Sequence, residues 1–203
     1  MNAGRLPFGV PSINAAKEFG NANYLWISYF YAYLNEKGRA GFVMASSATD
    51  SSGKDRDIRQ RLVETGHVDV MMSVGNNFFY TKSLPCSIWF FDKGKAEAIQ
   101  DHVLFIDARN YYTVVDRTLN EWSEWQLKNL NAIVWLYRGE VDKYQSLIAE
   151  YIQQIKSFVS AIVNVQTGTL EMEMLPDFYR EANAHGRKLQ QKVSEMETLD
   201  DCA

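Results

Sequence analysis

Nowhere in this chain of 203 residues do two glycines stand two apart, although it holds 12 of them. A Gly-x-Gly loop, the usual cradle for a dinucleotide, is therefore missing as a motif. Cysteine is scarce as well. Cys86 and Cys202 are far apart, which argues against a disulfide framework. Cys86 sits in an apolar run and is expected to be a buried thiol. The three histidines, His67, His102 and His185, are scattered without ligand spacing, so no metal site is expected and each histidine is read as structural or exposed. No run approaches the ~18 apolar residues of a membrane span, and the most apolar stretch, residues 24–34, is too short. No basic-then-apolar leader opens the chain. A cytoplasmic protein with no membrane contact is expected.

Positive charge is also in short supply. The net charge is −4. Residues 1–137 carry 14 Lys+Arg and 14 Asp+Glu, a net of zero, whereas residues 138–203 carry 7 and 11, which is 7 − 11 = −4. A chain that grips DNA unaided shows a basic face. Here any DNA contact requires a local patch or a partner. Lys54, Arg56, Arg59 and Arg61 form one basic run, open to phosphate contact, but Asp55 and Asp57 are interleaved with it as on a solvated helix face.

What is present is ordinary globular composition, 46% apolar and 23% charged. Residues 1–20 read as loop, punctuated by Pro7, Gly9, Pro11 and Gly20. Residues 22–37 predict a mostly buried helix, capped by Asn21 and stopped by Gly38. Residues 40–49 read as a buried strand. A loop and a helix follow, with Ile58, Leu62 and Val63 as its apolar stripe and Gly66 as its end. "HVDVMMSVG" and "CSIWFFDKG" are two further strands, and residues 102–110 a fourth extended run. This grammar predicts an α/β fold with a parallel sheet. Residues 118–139 read as helix, with Gly139 as the stop. From there the apolar residues fall at Val141, Tyr144, Ile148, Tyr151, Ile155, Phe158, Ile162 and Val165. The spacing alternates three and four, a heptad seam over 141–165. Leu147, Ile152, Val159 and Val163 widen it. Residues 166–169 break the pattern, and a second, more polar helix is expected over about 176–198. The expected division is an α/β part, 1–112, and a helical segment, 113–203.

The opening "RLPFGVPS", a Pro-aromatic-Gly loop before a helix and a strand, resembles the region after the fourth strand of DNA amino-methyltransferases, whose signature there is N-P-P-[FY]. Downstream, a Gly-x-[AG] strand is followed by Ile58, Arg59 and Leu62 of an I-R-x-x-L helix. An N-x-F-Y-like loop (Asn77, Phe78, Phe79, Tyr80), a hydrophobic strand (88–91) and "VDRTLNEWSE" follow in order. Over roughly residues 5–145 the chain is similar to the methyltransferase (M) subunit of type I restriction-modification systems. The resemblance implies a partial Rossmann-like sheet whose last strand is antiparallel and inserted between the two before it. It implies transfer of methyl from S-adenosylmethionine to the N6 amine of adenine in DNA. In that chemistry the Asn side chain and the first Pro carbonyl accept hydrogen bonds from the amine of a flipped base, and the aromatic ring stacks on it.

The departures are specific. The N-P-P-F positions fall on Arg5, Leu6, Pro7 and Phe8. Arg5 offers donors and no acceptor. Pro7 and Phe8 are the catalytic-loop candidates, and Phe79 and Tyr80 the walls of the base pocket. The expectation is a C-terminal portion of such an enzyme, cut just after its fourth strand. It is expected to bind no S-adenosylmethionine and to be inactive alone. The implied partners are the specificity and restriction subunits, with DNA reached through the complex. The strand beginning at Ala40 is expected to form an exposed sheet edge capable of self-association. Two alternatives stay open: an assembly module for a specificity subunit, with the heptad seam as its docking face, or one half of a split methyltransferase.

Overall fold

The first helix, α1 (Asn23–Ala32), is built almost entirely of aromatic and apolar residues. In the computed structural model, which describes residues 4–13, 22–80, 83–167, 184–188 and 191–192, it ends at Ala32 and not at the expected residue 37. The cause is local. The Asn35 side chain accepts a hydrogen bond from the Lys37 amide (3.1 Å), and the Gly38 amide donates to the Asn35 carbonyl (3.1 Å). An Asx turn thus takes the backbone groups that another helical turn would have used. Ala22 stands at the helix start with no side-chain cap, and Asn21 lies outside the described residues.

Strand β1 (Arg39–Ala45) alternates as a half-buried strand should, with Phe42 and Met44 inward. It stops at Ala45, earlier than expected, because Ser46–Ala48 closes into a 3-10 turn. Helix α2 (Lys54–Val63) follows. Asp55 and Asp57 sit in its first turn, where the helix dipole favours carboxylates. Ile58 and Leu62 are buried, whereas Val63 points outward and does not share their stripe. Gly66 takes a positive φ of 73° in the turn before the next strand.

Strands β2 (Val68–Val74), β3 (Cys86–Asp92) and β4 (Leu104–Ala108) complete a sheet of order β1-β3-β2-β4. β2 and β4 are parallel, but β3 is antiparallel to both β1 and β2. The purely parallel sheet read from the element grammar is therefore corrected to a mixed one. Helix α2 carries the chain across one strand position between β1 and β2. The segment of residues 75–85, with no helix among its described residues, then turns the chain back into the vacated slot, which an antiparallel strand can enter this way. The inserted last strand agrees with what the resemblance implies.

Along β3 the side chains alternate between two cores. Trp89 and Phe91 join Phe8, Tyr24, Ile27, Phe42, Ile58 and Leu62 on one face. Cys86, with Ile88 and Phe90 packed beside it, joins Val70, Met72, Val74, Ile106 and Leu130 on the other.

Residues 118–123 are not helical. Thr113–Val114 (β5) and Asn120–Glu121 (β6) pair as a small hairpin, its turn held by Asp116, which accepts from the Thr118 amide and hydroxyl. The next helix, α3 (Glu124–Tyr137), begins at a capping box formed by Ser123 and Gln126 and packs Leu130 onto the sheet. Residues 1–139 form one compact unit and residues 140–203 a second. The described core of the second is α4 (Val141–Thr167), a single helix of 27 residues that carries the heptad pattern. Among the described residues no helix is long and apolar enough to cross a membrane.

Candidate functional site

In open α/β sheets, ligands bind beyond the carboxyl ends of the parallel strands. Here those ends meet the start of the inserted strand, since Ala45 of β1 and Val74 of β2 both pair with Cys86. A cavity of about 480 Å³ opens at this point. Its floor and sides are Val43, Met44, Ala45, Leu84, Pro85 and Cys86. Ser46 and Ser47 are its hydroxyl groups, and Phe79 is its aromatic wall. The volume and the apolar lining with few polar groups suit a small planar ligand.

Each wall is fixed by the rest of the fold. The Ser46–Ala48 turn is held from inside by a buried brace. The Tyr24 hydroxyl donates to the Ala48 carbonyl (2.6 Å), and Arg59 Nη1 donates to the Tyr24 oxygen (3.0 Å) and to the same carbonyl (3.3 Å). Burial pushes the Tyr24 hydroxyl above its ordinary pKa, with the Arg59 hydrogen bond working against the rise. The Ser46 carbonyl also accepts from the Thr49 hydroxyl (2.7 Å).

The opposite wall is the loop of residues 75–85. It leaves β2 through Gly75, where a Cβ would lie 2.5 Å from the Arg109 carbonyl oxygen, so no larger residue fits. Asn77 then takes a left-handed φ of 64°, a conformation that Asn tolerates better than most residues. The Asn77 carbonyl accepts from the Asn120 amide (2.7 Å), and the Asn120 side chain donates to the Asn76 carbonyl (3.0 Å). Phe78 turns inward onto Trp122 (centroids 4.8 Å apart) and Tyr112. With Phe78 anchored, Phe79 is left 40% exposed on the cavity and Tyr80 90% exposed beyond it.

The Pro-Phe-Gly loop lies elsewhere. The Phe8 ring is buried with α1 and α2, edge-on to Tyr31 at 4.8 Å, and its carbonyl accepts from Arg61 Nη1 (2.9 Å). Pro7 and Arg5 are exposed. Of the expected site residues, Phe79 lines the cavity, with Tyr80 next to it in the loop; Pro7 and Phe8 are not among its lining residues. The basic run is also largely committed to the fold. Arg59 and Arg61 hold backbone and Tyr24 as described, and Arg56 lies 3.6 Å from Asp57.

Sequence reasoning did not single out Ser46, Ser47, Leu84, Pro85 or Cys86 as site residues. The available signal was a pair of serines directly at the carboxyl end of a strand. Burial raises the Cys86 thiol pKa, so the thiol stays neutral in the cavity floor. Among the described residues, no group of three or more His, Cys, Asp and Glu could hold a metal ion.

The N-6 DNA methylase family matches residues 11–158. The chain belongs to this family. Relatives include the type I restriction enzyme MjaIX methylase subunit of Methanocaldococcus jannaschii, 37% identical over 111 residues, which are 55% of this chain and 20% of the relative. The MjaVIII methylase subunit of the same organism is 30% identical over 105 residues, 52% of this chain and 17% of that one. The chain thus spans about one fifth of the length of the curated relatives it matches. A solved structure, the type I restriction-modification methyltransferase subunit from Streptococcus thermophilus, superposes with a TM-score of 0.55 at 19% identity. It covers 63% of this chain and 25% of its own. That likeness fixes the fold as the Rossmann-like one of the family, whose members are S-adenosylmethionine-dependent methyltransferases.

Proposed function

We propose that this region is the base-binding side of a type I M subunit that methylates adenine N6 in DNA, with the cavity under Phe79 as the seat of the flipped base. The observation that carries the reading is the position of Phe79. It lies on a cavity of about 480 Å³ at the carboxyl ends of the parallel strands, held there by the inward anchoring of Phe78. An aromatic face over an apolar floor is what an unstacked purine needs, and stacking of this kind contributes about 1–3 kcal/mol per base. Tyr80 extends the stacking wall. Ser46 and Ser47 supply hydroxyls that both donate and accept. Pro7 and Phe8 act by stiffening the loop ahead of α1.

This stretch of 203 residues does not methylate by itself on our reading. Arg5, at the position of the signature Asn, has no acceptor for the exocyclic amine. The cavity residues do not fit S-adenosylmethionine either, since no carboxylate lines the cavity to hold a ribose. Without both reactants held in place, the large rate contribution of positioning is lost. The outer edge of β1 has no partner strand among the described residues, and the α1 side chains Trp26 and Tyr33 are exposed nearby in sequence. These features support a second reading: a further polypeptide segment, on this chain or another, pairs there and brings the cofactor half. DNA is then reached through the assembly with specificity and restriction subunits.

Titration with adenosine, followed by two-dimensional NMR, tests the base seat. Shifts confined to Phe79, Ser46 and Ser47, weaker for guanosine and lost in Phe79→Ala, are expected. Shifts elsewhere, or an unchanged response in the variant, refute the assignment. Calorimetry with S-adenosylmethionine tests the second point, and micromolar binding to this chain overturns it.

A further inference from the structure

Ser46 and Ser47 line the first cavity, and Thr49, at the end of the same turn, lines a second one of about 470 Å³. Helix α2 packs Ile58 and Leu62 with Trp89 and Phe91 of β3, while the sheet runs on through β2 to β4. The second cavity is the trough this leaves beside the helix. Val68, Met71, Trp89 and Val103 line its sheet side, and Phe105, 75% exposed, is its outer aromatic. Arg56, Arg59, Gln60, Val63 and Glu64 line its helix side. They recur at three- and four-residue steps and so share one side of α2.

The polar groups of this cavity differ in what they have left to give. Gln60 Nε2 donates to Glu64 Oε1 (2.7 Å), and Arg56 lies 3.6 Å from Asp57. Arg59 uses only Nη1, on the Tyr24 oxygen and the Ala48 carbonyl. Its Nε and Nη2 have no hydrogen-bond partner among the described residues. Those two nitrogens form one edge of the guanidinium, the edge that meets a carboxylate with two parallel bonds. A carboxylate can therefore bind Arg59 without displacing its Nη1 bonds. Two guanidiniums and one carboxylate line the cavity, so its lining charge is 2 − 1 = +1.

We propose that this second cavity is an effector site for a small aromatic carboxylate. The ring lies on the Trp89, Met71 and Phe105 side, the carboxylate takes the open edge of Arg59, and occupancy stiffens the wall of the first cavity. The volume and the apolar lining with one convergent cation are those of a small-molecule site. The coupling follows from the brace. A guanidinium held along Nε and Nη2 also fixes Nη1, and Nη1 fixes the Ala48 carbonyl. The turn is otherwise closed by the Thr49 amide and hydroxyl on the Ser46 carbonyl (3.1 and 2.7 Å) and by the Asp50 amide on the Ser47 carbonyl (3.3 Å). Ordering Arg59 in advance lowers the entropy that a ligand of the first cavity must remove from this turn. The benefit to a base rests on reading the first cavity as the base seat; binding at the second cavity does not.

Naphthalene-2-carboxylate, titrated into the full chain and followed by two-dimensional NMR, is the test. Saturable shifts of the Trp89 indole N–H and the Met71 methyl are expected, with a Kd on the order of 100 µM. The uncharged naphthalene-2-carboxamide is expected to bind about tenfold more weakly. Val63→Trp, at a half-exposed helix position, fills the trough and is expected to abolish binding. Arg59→Lys keeps the charge without the two-pronged edge and is expected to bring the acid down to the affinity of the amide. With the acid saturating, hydrogen exchange at the Thr49 and Asp50 amides is expected to slow about threefold, and adenosine to bind about threefold more tightly. No saturable shift at Trp89 and Met71, or an amide that binds the wild type as well as the acid, overturns the proposal without recourse to any variant. Binding that leaves exchange at Thr49 and Asp50 unchanged overturns the coupling. A chain that ignores adenosine throughout overturns the base seat alone, because the exchange measurement still decides the coupling.

Discussion

Arg138, just past the end of α3, is bonded to a carboxylate sealed inside the sheet. Asp69 sits at the irregularity in β2 between Val68 and Val70 and is 1% exposed. Its Oδ2 accepts from Arg138 Nε at 3.1 Å and from Nη2, while its Oδ1 has no hydrogen-bond partner among the described residues. Arg138→Met removes the countercharge and leaves the carboxylate in place. Uncompensated buried charges of this kind cost about 3–5 kcal/mol. Lys95 also feels the charge of Asp69, but its ammonium is held by the carbonyls of Val68, Gln100 and His102, so it softens the loss without replacing the bonds. A cost of about 3 kcal/mol is expected. With a urea slope of about 2 kcal/mol/M, the midpoint falls by about 1.5 M. The double variant Arg138→Met with Asp69→Leu removes both charges together. Burying a matched apolar pair is often neutral or better, so most of the midpoint is expected to return. Circular dichroism of urea melts on the wild type, Arg138→Met, Asp69→Leu and the double variant gives the coupling directly. A single-variant shift under about 0.5 M, or a double variant no better than the single, refutes the reasoning.

Other expectations follow from the same geometry. Tyr24→Phe removes the hydroxyl bonded to the Ala48 carbonyl and is expected to cost about 1–2 kcal/mol in urea melts. Because burial raises the folded-state pKa of Tyr24, the stability tied to its protonated form is complete below pH 10 and is lost as pH rises beyond it. Melts from pH 9 to 11 are expected to show that loss, reduced in Tyr24→Phe. His67 has the opposite sense. Burial, then Lys93 and Lys95, depress its folded-state pKa below 6.5, so stability is complete above that value and is lost as pH falls through the depressed value. His67→Gln is expected to flatten this acid-side loss. Gly75→Ala forces a methyl group to 2.5 Å from the Arg109 carbonyl and is expected to lower the melting temperature and to abolish the adenosine response through the displaced Phe79 loop.

The strands were legible in the sequence because their alternation is a local property. The direction of β3 was not, because a strand's own pattern is the same whichever way it runs. Family resemblance supplied that direction, and the lack of a helix among the described residues of 75–85 is its physical cause. Helix ends were misjudged where a single side chain intervenes, as Asn35 does after α1. The cavity shows the same division. Phe79 stood in a recognisable loop motif and lines the site. What holds it there is Asn120, 43 and 44 residues away from the carbonyls it contacts, and no spacing rule connects such positions. Phe8 read as a stacking face, yet its backbone is held by Arg61, 53 residues on, with its ring in the core.

Arg59 and Arg61 also bear on how this region meets DNA. In the sequence they belong to a basic run open to phosphate. In the fold one braces the floor of the cavity through Tyr24 and Ala48, and the other ties down the Phe8 loop. Arg59 Nη1 is shared between two internal acceptors and Arg61 Nη1 is held by the Phe8 carbonyl, so neither residue can turn its whole guanidinium fork onto a phosphate without breaking its brace. Residues 1–137 are electrically balanced besides. Affinity for DNA by this chain alone is therefore expected to be weak and to fall only shallowly with salt, with a slope near −1 to −2 in log–log form by the counterion relation, whereas a chain using all four cations of the run reaches about −3.6. Fluorescence anisotropy with a labelled duplex across salt concentrations measures that slope. A slope near the larger value shows that the run turns outward on DNA and that the brace on the cavity opens when DNA binds.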